Sequence, residues 1–258
     1  GMLIGTVEKI GTDLEGKTDV KVGDKVATLV SLSLTPLRID EIVEVRPEID
    51  QVDIKGKAIL FESGIYAKIP EDLPENLVLS VLDVAGAPAQ TAKLVKPGDT
   101  VLIIGGTGKA GMLSLYEAKK GVGVTGKVIC LDYSDAGLDR VKKANLADYY
   151  IQADATDAVG VLNKISEITN GEMVDITINI VNIPNTEMSS ILATKDNGIV
   201  YFFSMATSFT KATLGAEGVG KDVTMIMGNG YTKGHAEITL QIMRESETLR
   251  NLYTELYA

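Results

Sequence analysis

Residues Thr100 to Gly111 read TVLIIGGTGKAG, and their order decides the fold. Four apolar residues, Val101 to Ile104, form a short strand-like run that stops at a glycine-rich turn. The helix-prone segment MLSLYEAKK follows. Within the turn, Gly106-x-Gly108-x-x-Gly111 has the spacing of a phosphate-cradling loop, with Thr107, Lys109 and Ala110 between the glycines. On this reading Gly106 lets the chain leave the strand tightly. Gly108 lets backbone N–H groups approach a pyrophosphate, and Gly111 brings the helix close, aiming its positive end at the phosphates. A lone glycine triplet is weak evidence. The strand before it and the helix after it supply the context a dinucleotide site requires.

A second strand is expected over Val128 to Leu131, and Asp132 stands at its end, followed by Tyr133. The spacing from Gly106 is 132 − 106 = 26 residues, longer than the usual ~20. The glycine-rich GVGVTG (121–126) accounts for the excess as a lengthened loop. A carboxylate there accepts hydrogen bonds from the adenosine ribose hydroxyls and repels a 2′-phosphate, which favours NAD over NADP. The plainer alternative is that Asp132 starts the next turn, although Ser134 is the better cap for the helix containing LDRVKK.

The 258 residues include 45% hydrophobic and 23% charged side chains, an ordinary globular balance, with net charge −10. Such acidity argues against nucleic acid or an anionic membrane as partner. The one cysteine, Cys130, falls inside an expected buried strand, so a disulfide framework is excluded and a reducing compartment is expected. No apolar run approaches the ~18 residues of a membrane span, and no secretory signal opens the chain. Cytoplasmic location follows as the default.

Two textures meet near residue 75. Before it, β-rich runs at 3–7, 24–30, 39–45, 58–61 and 66–69 alternate with turn signals. After it, strands near 101–104, 128–131, 149–152, 175–181, 199–203 and 223–227 alternate with helices near 110–120, 135–144, 158–169, 186–193 and 234–246. Alternation at this spacing means a parallel sheet covered on both faces.

These segments carry a resemblance. GTVEKIG (5–11) with KVGDKV (21–26), and VKPGDTVLI (95–103), resemble the medium-chain dehydrogenase/reductase superfamily. A closer resemblance, to the L-erythro-3,5-diaminohexanoate dehydrogenase family, rests on six segments: LVSLSLTPL (29–37), FESGIYAKIP (61–70), LDVAGAPAQ (82–90), TEMSSILATKDNG (186–198), YFFSMATSFTKATLGAEGVGKD (201–222) and GNGYTKGHAEITL (228–240). It implies an α/β fold: a Rossmann doubly wound parallel sheet over 76–258, preceded by a partial GroES-like β-rich domain over 1–75. It also implies NAD-dependent oxidative deamination of a small amino acid, and a homodimer or larger assembly through the last sheet strand, around Val223 to Met227. In the superfamily the GTVxxVG segment lies well inside the catalytic domain, whereas here it opens the chain at Leu3. The sequence therefore reads as N-terminally shortened, either by loss of the upstream part or as a natural short form. Two readings compete: a zinc-free quinone or enoyl reductase, and a dinucleotide-binding chain without turnover.

The strand C-termini nominate the remaining cofactor residues. Asp154 and Ala155 are placed at the adenine edge; Val181, Asn182, Phe203 and Ser204 are placed beside the nicotinamide. Lys109 either offsets phosphate charge, holds a substrate carboxylate or points to solvent. Cys130 and His235 are too few for zinc, so no metal site is expected. Tyr116 and Lys120 have a Tyr-x-x-x-Lys spacing, but on the first helix after the glycine loop it reads as coincidence. The substrate implied by the resemblance carries two amines and a carboxylate, and deamination needs a base for water. Glu62 and Asp83 lie in segments that line the catalytic cleft of the superfamily, and are the acidic candidates. Glu62 could instead be a rim charge, and Asp83 could be tied to its own helix. His235 is expected to be a cap or surface residue.

Overall fold

The computed structural model describes residues 2–29, 35–228 and 230–258, so most of LVSLSLTPL lies outside the described residues. The chain divides into two compact units, Gly1–Asp83 with Arg250–Ala258, and Val84–Leu249.

In the first unit β1 (Ile4–Thr6), β2 (Lys25–Thr28) and β5 (Tyr66–Lys68) form an antiparallel sheet in the order β1-β2-β5. A separate ribbon pairs β3 (Leu37–Arg46) with β4 (Gln51–Ala58). The strand expected at 58–61 therefore ends where it was expected to begin. A 3₁₀ turn at Pro47–Ile49 and Asp50 in the left-handed conformation, φ 56°, return the chain at once into β4. Helix α1 (Glu75–Leu82) also belongs to this unit, which moves the division from residue 75 to Asp83. The carbonyls of Asn76 and Tyr257 both accept hydrogen bonds from the Gln51 amide, at 3.5 and 3.3 Å, drawing α1 and the chain end to β4.

The second unit begins with α2 (Gly86–Leu94) and continues as β6 (Thr100–Ile104), α3 (Lys109–Val122), β7 (Lys127–Asp132), α4 (Asp135–Lys143), β8 (Tyr149–Gln152), α5 (Ala158–Thr169), β9 (Val174–Asn179), α6 (Glu187–Ala193), β10 (Thr194–Phe202), α7 (Phe209–Val219), β11 (Thr224–Met227) and α8 (His235–Glu245). The final helix, α9, spans Glu247–Tyr257. The six strands are parallel in the order β11-β10-β9-β6-β7-β8. Val101, Leu102, Ile103, Ile104, Ile129 and Leu131 are completely buried, as continuous apolar strands covered on both faces must be. Strand order reverses between β6 and β9, which makes the ends of those two strands the switch point.

Caps set the helix starts. Ser134 Oγ accepts the Gly137 N–H and Asp157 accepts that of Gly160. Ser208 Oγ accepts the Lys211 N–H and opens α7, a helix absent from the expected elements.

Candidate functional site

The glycine loop joins β6 to α3 at the switch point. Gly105, not Gly106, takes the left-handed conformation, φ 84°, and so makes the tight exit; it also meets the backbone of Val181, where an added Cβ would lie 2.8 Å from the Val181 nitrogen. Gly106 is required for a different reason: its Cβ would sit 2.5 Å from Cys130 Sγ. A Cβ on Gly111 would fall 2.6 Å from the Gly106 carbonyl carbon, so the close helix approach is as expected. Gly108 differs from these. It is the exposed N-cap of the 14-residue α3, and a Cβ there would meet nothing nearer than 3.8 Å. Open space at a helix N-terminus, bounded by glycines that cannot be enlarged, fits a pyrophosphate. Lys109 is the first residue of α3 and is partly exposed; Ala110 is buried.

Asp132 closes β7, and its carboxylate braces the loop. Oδ2 accepts the Thr107 N–H at 3.0 Å and Oδ1 accepts the Ser134 N–H at 3.1 Å. Thr107 is buried and Tyr133 is 73% exposed beside them. A carboxylate so oriented keeps further lone pairs for hydroxyl donors. At the end of β8, Asp154 is held below the usual carboxylate range by the backbone N–H of Thr156, with the Thr156 hydroxyl assisting. Ala155 is buried and its carbonyl accepts from Ser189 Oγ at 2.6 Å.

The neighbouring strands end in register. Ile180 N–H donates to the Ile104 carbonyl at 2.9 Å and Phe203 N–H to the Asn179 carbonyl at 2.9 Å. Val181, Asn182, Phe203 and Ser204 therefore emerge along the edge that carries the glycine loop. Ser204 Oγ and Asn182 Oδ1 are 3.3 Å apart, tying the two loops together. Behind them lie Asn179, Glu187 and Ser189, all buried and absent from the expected site. The signal for Glu187 and Ser189 in the sequence is four polar residues in five, Thr186 to Ser190, at the start of an otherwise apolar helix.

Other candidates lie elsewhere. Tyr116 and Lys120 both bind Glu245 on α8, at 3.2 and 2.7 Å, and burial of neighbouring Glu117 raises its pKa. Their spacing thus serves helix packing. Cys130 is a buried core residue whose thiol burial pushes far up. His235 opens α8 but is only 5% exposed, with its ring edge-on to Tyr231 at 5.1 Å; burial lowers its pKa. It is not a surface residue, because the segment before α8 folds inward. The carbonyl of Gly230 meets Gly86, and Thr232 Oγ1 donates to Gln90 at 3.0 Å. In the first unit, Glu62 is exposed and lines an open cavity with Phe61, Tyr66 and Leu79, and Asp83 caps α1 with its side chain exposed. Among the described residues no three His, Cys, Asp or Glu side chains group as metal ligands, and no helix is long and apolar enough to cross a membrane.

The sequence profile of the L-erythro-3,5-diaminohexanoate dehydrogenase N-terminal domain matches residues 1–70. Over 257 residues the chain is 65% identical to L-erythro-3,5-diaminohexanoate dehydrogenase of Acetoanaerobium sticklandii, covering 100% of this chain and 75% of that protein. The chain belongs to the L-erythro-3,5-diaminohexanoate dehydrogenase family. The Fusobacterium nucleatum enzyme of the same name is 63% identical, with 100% and 74% covered. Among solved structures, AibC superposes with TM-score 0.66 at 19% identity, covering 94% of this chain and 73% of that one. An alcohol dehydrogenase of Thermotoga maritima gives 0.63 at 17%, covering 90% and 69%. A mycobacterial protein complexed with NADPH gives 0.62 at 19%, covering 99% and 71%. These likenesses establish the α/β dehydrogenase fold.

Proposed function

We propose that this member of the family oxidises L-erythro-3,5-diaminohexanoate with NAD, yielding 5-amino-3-oxohexanoate and ammonia in lysine fermentation. The observation that carries the reading is the identity of 65% along the whole chain to an enzyme of that name, joined to a glycine loop with room only at Gly108. A nicotinamide dinucleotide bound at the loop supplies the hydride acceptor. The chain's own residues do the rest. The α3 N-terminus faces the pyrophosphate, Asp132 accepts from the ribose hydroxyls, and Tyr133 offers an aromatic face to the adenine. Val181, Asn182, Phe203 and Ser204 border the nicotinamide.

Hydride leaves the carbon bearing the 3-amino group only when that amine is neutral. The resulting iminium takes up water and expels ammonia, so a base must accept a proton from water. Glu62 and Asp83 are assigned as acidic partners of the ammonium groups, and their exposed carboxylates support the assignment. The assembly proposed is a homodimer or larger, joined through β11, and the location is the cytoplasm.

The test gives purified protein the diamine with NAD or NADP and follows NADH formation and ammonia release in parallel. Equal amounts of both products, with simple alcohols and quinones poor, are expected, because a site with charged partners leaves them unpaired on neutral ligands. Efficient quinone reduction without deamination would replace this reading with the quinone reductase alternative.

A further inference from the structure

The three loops that leave β8, β9 and β10 end on one short helix. Ser189 Oγ of α6 donates to the carbonyl of Ala155 at 2.6 Å, fixing the loop after β8. Asn179, the last residue of β9, donates from Nδ2 to Thr186 Oγ1 at 2.8 Å and to Ser190 Oγ at 2.9 Å, fixing the span 180–186 at both ends. Glu187 Oε1 accepts the backbone N–H of Ser208 at 2.7 Å, fixing the far end of the span 203–208, whose near end is the Phe203–Asn179 bond. Glu187 is 2% exposed and Asn179, Ser189 and Ser190 are completely buried. Between the loops that follow β9 and β10, Ser204 Oγ donates to Asn182 Oδ1 at 3.3 Å. An apolar side chain at 187 would pack a helix on a sheet at less cost than a desolvated carboxylate. Buried, geometrically specific hydrogen bonds hold one arrangement where apolar packing allows several.

We propose that Glu187 is a positioning residue for the nicotinamide half of the cofactor site, and that Ser189 does the same for the adenine half. The inference rests on the reading that a dinucleotide binds along this edge. Removing the Glu187 carboxylate releases the far end of the 203–208 span at Ser208 and so loosens the loop that carries Ser204, while Phe203 stays on Asn179 and the glycine loop, Asp132 and Ala155 keep their own anchors. Removing the Ser189 hydroxyl frees Ala155 and leaves Ser204 held. The two perturbations therefore act on opposite ends of one ligand, which general loss of stability cannot do.

Calorimetry with NADH and with ADP-ribose, which lacks the nicotinamide, separates the halves. Glu187→Ala is expected to weaken NADH about tenfold, as loss of a charge-assisted hydrogen bond implies, and to leave ADP-ribose unchanged. Glu187→Gln keeps an acceptor for Ser208 and should restore NADH binding to within about threefold of the parent. Ser189→Ala should weaken NADH and ADP-ribose alike. The proposal is overturned if Glu187→Ala leaves NADH affinity intact, or if it lowers both affinities in proportion. A parent protein that binds neither ligand would instead overturn the dinucleotide reading itself, so the two failures are distinguishable.

Discussion

Replacing Gly111 and Gly108 by alanine separates the two duties of the glycine loop. At Gly111 the added methyl would lie 2.6 Å from the Gly106 carbonyl carbon, against about 3.5 Å for an ordinary contact. The atoms it would meet belong to the backbone of Gly105 and Gly106, so no side chain can rotate away. Helix α3 must retreat by about 1 Å, the difference between those distances. Such overpacking costs about 1–3 kcal/mol, and each kcal/mol lowers Tm by roughly 2–4 °C in a chain of this size. At Gly108 the nearest atom to the added methyl is 3.8 Å away and φ is −78°, a conformation alanine adopts freely. The reduced entropy of the unfolded chain stabilises by about 0.4–1 kcal/mol, which roughly offsets a poorer N-cap. Gly108→Ala should therefore melt near the parent temperature yet bind NADH at least tenfold more weakly, about 1.4 kcal/mol, because the methyl stands where the phosphates approach. Calorimetric titration and differential scanning on the same preparations provide both numbers. Should Gly108→Ala bind NADH within about twofold of the parent, the phosphate cradle has been placed wrongly.

Four further outcomes follow from the same structure. Asp132→Ala should narrow the preference for NAD over NADP, because hydroxyl acceptor and phosphate repulsion vanish together; an unchanged ratio of Kd values would remove Asp132 from the ribose contact. Glu62→Gln should lower kcat if the carboxylate activates water and raise KM if it only binds an ammonium, and Asp83→Asn divides in the same way. Burial lowers the pKa of His235 from 6.5, so the folded state resists its protonation; the stability linked to this ring is whole above 6.5 and is lost as pH falls from there through the lowered folded value. His235→Gln should flatten that acid-side loss in denaturant melts taken between about pH 7 and 5. Light scattering at micromolar concentration should report a dimer or larger species, and a stable monomer would count against pairing through β11.

The parallel sheet is legible because β6 and β7 are apolar runs buried on both faces, and strand-like runs alternate with helix-prone segments at regular spacing after them. Helix α7 escaped notice for a physical reason. FTKATLGAEGV buries only Ala212 and Ala216 and carries two glycines, so it has little apolar stripe; its cap Ser208 was the available signal. The glycine motif marks the turn between β6 and α3 but assigns the tight exit to Gly106, since spacing alone does not reveal which of two adjacent glycines takes positive φ. Asn179, Glu187 and Ser189 do not stand out singly in the sequence, because what they bind is set by hydrogen bonds across 7 to 34 positions. His235 is expected to cap the helix or lie on the surface because it stands at a helix start; Gly234 is the N-cap instead, and the packing of Gly230 on Gly86 and of Tyr231 on its ring accompanies its burial.

The β3–β4 ribbon carries a consequence for how the molecule breathes. Ile39, Ile42, Val43, Val45 and Val52 are each more than half exposed on it, and among the described residues it pairs with no third strand. Its cross-strand ion pairs, Lys55–Glu41 and Arg46–Asp53, are solvent-exposed and contribute about 0–1 kcal/mol each. A two-stranded ribbon so weakly supported is marginal in water. Its amides should exchange with solvent deuterium through local openings, long before those of β6 and β9, which exchange only when the whole sheet comes apart. The ribbon is then the place where a protease cuts first and where two copies, briefly opened, find each other's unpaired backbone.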